Sequence, residues 1–211
     1  RYAHKAHEAF SKPLLTFCVS PYVGLCCILW LSLCFLAELE GGGKVLASTP
    51  ADVLFDPNTA HPNLHVSPNK KKVTWLPEPQ NVPDNPERFN ATYCLLGTPR
   101  FTKGKHYWEV EYGGQREWVA GVARESVQRK GFVRMTPKEG IWQMGLWWLR
   151  RGEMDSHPPP KHPAKIRISL DYEQGTVTFY LENKVNVQKV SFKGESVRPF
   201  FYVGPTVSLG L

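Results

Sequence analysis

A two-residue period constrains this chain more than any other feature. In Lys105-His106-Tyr107-Trp108-Glu109-Val110-Glu111-Tyr112, neighbouring side chains on an extended backbone point to opposite faces. Trp108, Val110 and Tyr112 therefore share one face, and Tyr107, Glu109 and Glu111 the other. The period returns in Lys165-Ile166-Arg167-Ile168-Ser169-Leu170, with Ile166, Ile168 and Leu170 inward, and in Thr176-Val177-Thr178-Phe179-Tyr180-Leu181. Between those runs, Asp171-Tyr172-Glu173-Gln174-Gly175 supplies a turn ending in Gly, hence a hairpin. From residue 50 onward, short β-branched and aromatic runs are separated by Gly, Pro, Asn and Lys clusters. Strands are expected at 53–55, 64–67, 72–75, 93–97, 104–112, 117–123, 141–149, 166–171, 176–181, 188–192 and 198–203, with no long helix. The fold class that follows is all-β, a two-sheet antiparallel β-sandwich.

Two segments interrupt the pattern. Residues 77–88 carry Pro77, Pro79, Pro83 and Pro86, and residues 151–163 carry Pro158-Pro159-Pro160. Neither supplies a regular row of backbone donors, so both are loops. Paired strands lie on either side of each, which argues against a domain linker. There is no internal repeat.

The amino-terminal part has a different texture. Residues 13–37 hold no charged side chain, with basic residues before them (Arg1, Lys5, Lys12) and acidic ones after (Glu38, Glu40). Such a stretch prefers a membrane to water, and the flanking charges leave the start cytoplasmic and send the rest across. Pro21 divides it, and residues 25–37 have the length of a signal-peptide apolar region. Val45-Leu46-Ala47 offers the small-x-small pattern that signal peptidase accepts, so cleavage is expected between Ala47 and Ser48. A retained signal anchor is the alternative. Residues 1–47 are thus a leader with a short pro-like stretch, and residues 48–211 are the folded domain.

Cysteine usage agrees with that division. Cys18, Cys26, Cys27 and Cys34 lie in the leader and only Cys94 lies beyond it, so the domain has no internal disulfide. One cysteine also excludes a cysteine-rich zinc site, and His157 and His162 alone do not make a metal site. Cys94 is expected to be buried, with pairing between chains as the alternative. The formal charge of +7 is spread among carboxylates, the longest basic run being Lys70-Lys71-Lys72, so nucleic acid is not an expected partner.

No nucleophile elbow, phosphate-cradling glycine loop or zinc-binding His-Glu-x-x-His is present. Glu109 and Glu111 share a face about 7 Å apart by strand rise, a spacing that superficially suits acid–base work. On a polar face they are more simply solvated, so neither catalysis nor a cofactor is expected. Asn90-Ala91-Thr92 is a glycosylation acceptor if the domain is exported. Binding modules place recognition on loops and enrich it in Trp, Tyr and Arg. The candidate surface joins Arg124, Arg129, Lys130, Arg134 and Lys138 to Trp147, Trp148, Arg150 and Arg151. Within that stretch these bases face only Glu125 and Glu139, which suits an acidic partner. Trp142 and one of Trp147 or Trp148 are expected in the core. Arg150-Arg151 is also a dibasic site for a secretory convertase.

Several of these segments resemble a known family. Val53-Leu54-Phe55-Asp56-Pro57-Asn58-Thr59-Ala60, leading to Leu64-His65-Val66-Ser67, is similar to the opening of a PRY segment. Gly104-Lys105-His106-Tyr107-Trp108-Glu109-Val110, Leu170-Asp171-Tyr172-Glu173 with Gly175 and Phe179, and Arg198-Pro199-Phe200-Phe201-Tyr202-Val203-Gly204 resemble successive SPRY motifs in order. The resemblance implies a PRY part over about 52–97 and an SPRY part over about 98–211, the B30.2-like sandwich. Val82-Pro83-Asp84-Asn85-Pro86-Glu87-Arg88-Phe89, Gln115-Arg116-Glu117-Trp118, Arg129-Lys130-Gly131 and Ile141-Trp142-Gln143-Met144-Gly145-Leu146-Trp147-Trp148-Leu149 are similar to the ohanin and vespryn group of secreted reptile venom proteins, as is the leader. Pro158-Pro159-Pro160 and residues 1–12 depart from that group. What the resemblance implies is a secreted, non-enzymatic, monomeric protein that binds a receptor or channel, neural targets included. The alternative is an intracellular or membrane-anchored substrate-recognition domain, as in ubiquitin ligases or butyrophilins.

Overall fold

The computed structural model describes residues 48–113, 117–146, 164–182 and 184–211. The expected leader, the cleavage position at Ala47, Gln115-Arg116, Trp147, Trp148, Arg150, Arg151 and the Pro158-Pro159-Pro160 loop lie outside the described residues.

Among the described residues twelve strands run in chain order: β1 (Thr49–Pro50), β2 (Leu64–Val66), β3 (Lys72–Trp75), β4 (Cys94–Leu96), β5 (Lys105–Tyr112), β6 (Trp118–Arg124), β7 (Ile141–Leu146), β8 (Ala164–Asp171), β9 (Thr176–Leu181), β10 (Lys184–Lys189), β11 (Val197–Val203) and β12 (Ser208–Gly210). The only helical element among the described residues is a 3₁₀ turn at Pro137–Glu139. One sheet has the order β10-β9-β8-β5-β12-β3-β2, with β1 added parallel to β5. The other has the order β4-β11-β6-β7, and all its pairings are antiparallel.

The two-residue period is what pairs the large sheet. β5 and β8 run antiparallel from Lys105↔Asp171 to Tyr112↔Ala164, which puts Trp108 opposite Ile168 and Val110 opposite Ile166 on one buried face. Val177 and Phe179 of β9 continue that face. Against it pack Trp118, Ala120 and Val122 of β6, Trp142 of β7, and Phe201 and Val203 of β11. Each side chain of this size withdrawn from water contributes on the order of 1.5–3 kcal/mol.

β6 and β11 are buried at every position, so their other face is covered as well. Val119, Ala123, Phe200 and Tyr202 of that outer face pack with Phe89, Val127 and Val133 in a second core. Phe89 comes from the end of the proline-rich loop, and Val127 and Val133 from the β6–β7 connection. The loops that close the outer face of the small sheet are therefore packed elements, and they carry most of the described candidate surface. Tight approach of β6 to β7 demands Gly121, where an added Cβ would collide with the Trp142 carbonyl oxygen.

The structure differs from the strand expectations at 53–55 and 188–192, and it adds the short strands β1 and β12. Residues 53–55 form no strand: Phe55 makes one bridge, to Gly97, and its N–H donates to Lys70 O before the chain turns at Asp56-Pro57. The strand expected at 188–192 lies at Lys184–Lys189, because Glu182, with φ 50°, turns the chain straight back and pairs Lys184 with Leu181. Val185 and Val187 are exposed there, the reverse of the apolar-inward pattern that locates the other strands. β12, unannounced by any long apolar run, slots between β5 and β3 through Leu209↔Tyr112 and Leu209↔Val73.

Candidate binding surface

The β6–β7 connection leaves the sheet at Arg124 and is pinned at two buried points. Val127 and Val133 enter the second core, at 4% and 2% exposure, while Phe132 between them and the connection's end is 57% exposed. Gly131 turns the chain with φ 76°, a conformation that suits a residue without Cβ. Beside it lies the proline-rich loop. Gly131 N–H donates to Asn90 Oδ1 at 2.9 Å and Val133 N–H donates to Thr92 Oγ1 at 3.0 Å. Lys130 Nζ donates to Asp84 Oδ1 and to Asn85 O, both at 2.7 Å. That contact holds the Asp84 carboxyl below its ordinary range.

Of the nine residues expected on the surface, five are described. Arg124 is buried; its Nη2 donates to Ser191 O at 2.6 Å, and its guanidinium lies 5.2 Å from the Trp142 ring centroid. Arg129 is also buried, over the Phe89 ring, with Nη2 donating to Glu125 O at 2.9 Å and 3.6 Å from carboxylate oxygens of Glu87 and Glu125. Burial lowers its pKa, and the two carboxylates oppose that shift. Lys130 is half-buried against Asp84. Arg134 and Lys138 are exposed. Trp142, as expected, is core.

The bases at 124, 129 and 130 thus hold the loops together, while those at 134 and 138 face solvent. Two of their acidic partners are distant in sequence: Asp84 and Glu87 lie on the proline-rich loop. Arg198 completes the foundation from β11. It is 1% exposed, with Nε donating to Gly97 O at 2.8 Å, Nη2 to Asp56 Oδ2 at 2.7 Å, and Nη1 3.6 Å from Glu125. Glu125 also accepts from Arg100 Nε at 2.9 Å. A count of charges along the segment alone could not show these links.

Over this framework Val127, Gln128, Phe132, Val133, Arg134 and Glu139 line an open hollow of about 230 Å³. Phe132 carried no distinguishing signal in the sequence, since a lone aromatic in a basic segment reads equally well as core. A second hollow, of about 340 Å³, lies on the large sheet beside Ser48, Tyr107, Arg167, Ser169 and Tyr180. There the carboxylates of Glu109 and Glu111 face their cross-strand partners: Arg167 Nη2 lies 2.7 Å from Glu109 and Lys165 Nζ 3.1 Å from Glu111. They form a solvated charge ladder. Among the described residues no cluster of three or more His, Cys, Asp or Glu side chains is placed to hold a metal. Asn90 is exposed, and Cys94 is free and buried, its thiol pushed well up by burial.

Two packed sheets, antiparallel apart from the short β1, with loops capping the small one, fit the PRY-SPRY class. Residues 53–101 match the SPRY-associated domain and residues 105–211 the SPRY domain, and the chain belongs to this family, within its ohanin and vespryn group. It is 55% identical over 192 residues to vespryn of Crotalus adamanteus, covering 88% of this chain and 86% of that one. It is 52% identical over 187 residues to ohanin of Ophiophagus hannah, covering 86% and 98% respectively. Among solved structures, the TRIM65 PSpry domain superposes with a TM-score of 0.58 at 18% identity, over 77% of this chain and 90% of that one, a likeness of fold.

Proposed function

We propose that this chain is an exported, non-enzymatic binding protein of the ohanin and vespryn kind, recognising a protein partner through the β6–β7 end of the sandwich. The observation that carries the reading is the division of labour among the bases. Arg124, Arg129 and Lys130 rigidify the loops, which leaves Arg134 exposed on the lining of the Phe132 hollow and Lys138 exposed next in sequence to its Glu139. An apolar anchor with a basic rim fits a hydrophobic side chain set in an acidic surface. Trp147, Trp148, Arg150 and Arg151 extend the same surface in the reading from sequence. The partner class is an extracellular receptor or channel, and neural membranes are the first place to look. Export removes residues 1–47, with Ser48 as the new amino terminus.

The test expresses the gene in cultured animal cells and applies labelled secreted product, before and after removal of any N-linked sugar, to neuronal membranes. Saturable binding that weakens with salt, and that falls in Phe132→Ala and Arg134→Glu/Lys138→Glu variants, supports the reading. Product confined to the cytosol removes export and favours the intracellular alternative. Binding that is saturable yet indifferent to these variants moves the site elsewhere on the sandwich.

A further inference from the structure

The hydrogen bonds that join residues 131–133 to residues 90–92 place the glycosylation acceptor next to the exposed aromatic ring. Both Gly131 and Val133 turn their N–H groups toward the acceptor segment, onto Asn90 Oδ1 and Thr92 Oγ1. Val133 is buried, so Phe132, between them, projects to the solvent side, where Asn90 is also exposed. Because Asn90 Oδ1 is held by Gly131, the amide is fixed in orientation and its Nδ2 has no partner among the described residues. A group attached to Nδ2 therefore starts from a rigid point one residue away from Phe132.

We infer that the first N-acetylglucosamine of an N-linked chain on Asn90 lies against the Phe132 ring and governs access to the neighbouring hollow. The inference rests on the reading of Asn90 as a used acceptor in an exported protein. In the modification, Asn90 Nδ2 forms a bond to sugar C1, the lipid diphosphate carrier leaves from C1, and one amide proton passes to the transferring enzyme's base. The Oδ1 contact to Gly131 survives, since only an Nδ2 hydrogen is replaced. Thr92, which the acceptor rule requires, is 5% exposed in the fold, so the sugar must be added before the chain closes around it. The apolar face of a pyranose ring covers an aromatic surface well, and 57% exposure leaves Phe132 enough free area to gain from that cover. A sugar-bearing chain would then present Arg134 and Lys138 with a covered anchor, and a bare chain an open one.

The experiment uses the full chain secreted from animal cells, wild type and Phe132→Ala. Part of each preparation is trimmed by an endoglycosidase that leaves one N-acetylglucosamine, and part is stripped completely. Two readouts are taken: the rate of chymotrypsin cleavage after Phe132 in the wild type, followed by mass spectrometry, and the proton chemical shifts of the remaining sugar in both. The expected result is cleavage several-fold slower with the single sugar than without it, and sugar protons shifted by the ring in wild type but not in Phe132→Ala. If the sugar is present and the cleavage rates are equal, or the sugar shifts do not change in Phe132→Ala, the inference is overturned while glycosylation stands. If Asn90 carries no sugar, the glycosylation reading falls and takes the inference with it. Phe132→Ala alters an exposed position, so its folding is not at issue.

Discussion

Replacing Arg198 by Met tests whether the buried ion network is what holds the candidate surface in place. Met keeps most of the length and removes the charge. It leaves Asp56 without its 2.7 Å partner, Gly97 O without its donor, and Glu125 without a neighbour at 3.6 Å. Breaking a buried pair by removing one member costs about 3–5 kcal/mol. Asp56 retains 19% side-chain exposure and Glu125 29%, so water re-solvates part of what is stranded and the lower end, about 3 kcal/mol, is expected. For a domain of this size that corresponds to a fall of about 6–12 °C in Tm. Urea denaturation followed by Trp fluorescence measures it, and Arg198→Met/Asp56→Asn should recover a large part, because the stranded carboxylate is then neutral. The same substitution frees Glu125, which also orients Arg129 and Arg100, so chymotrypsin should cut after Phe132 faster in the unglycosylated protein. A loss below about 1 kcal/mol, or no recovery in the double variant, would refute the network's structural role.

Gly121→Ala drives a Cβ into the Trp142 carbonyl oxygen between two central strands and should cost about 3 kcal/mol or prevent folding, read from the same denaturation curves or from soluble yield. Burial, the largest cause, and nearby Arg88 lower the His61 pKa below 6.5, against the opposing pull of Asn90 O on Nε2, while Asn63 N–H donates to Nδ1. The unfolded chain therefore takes up the proton first, so stability is full above pH 6.5 and declines as pH falls through the folded value; a His61→Gln variant should lose this slope between pH 7 and 5. If a convertase cuts at Arg150-Arg151, native secreted material should show two fragments under denaturing mass spectrometry that co-elute under native conditions, since β5 and β8 pair across the cut along eight residues. An intact chain alone would remove processing.

The sheets were legible in the sequence where burial is one-sided. Trp108-Glu109-Val110-Glu111-Tyr112 alternates because one face meets the core and the other meets water, and the strand appears where the period places it. β10 escaped because its β-branched residues Val185 and Val187 are the exposed ones, and β12 because three residues carry no period. The site was half legible. Sequence proximity groups the bases between 124 and 138 but says nothing of Asp84, which meets Lys130, of Glu87, which meets Arg129, or of Arg198, which meets Glu125. Those contacts decide which bases are spent on structure. Phe132 gave no signal because its exposure depends on Val133 having taken the buried position, a choice made by packing and not by composition.

Under the proposed function, that choice ties stability to recognition in a specific way. Among the described residues, Phe89, Val127 and Val133 cover the outer face of the small sheet from loops. A loop obliged to bury two valines cannot drift, and the residues between and beyond them are presented in a fixed arrangement without any disulfide. The two-residue period that builds the sheets reappears in miniature: Phe132 out, Val133 in, Arg134 out. Substitutions at the inward positions should therefore change unfolding free energy, and substitutions at the outward ones should change binding with little effect on stability. Relatives with the same sandwich can then diverge in partner by exchanging outward residues alone, since the packing that positions the surface is carried by different side chains of the same short segment.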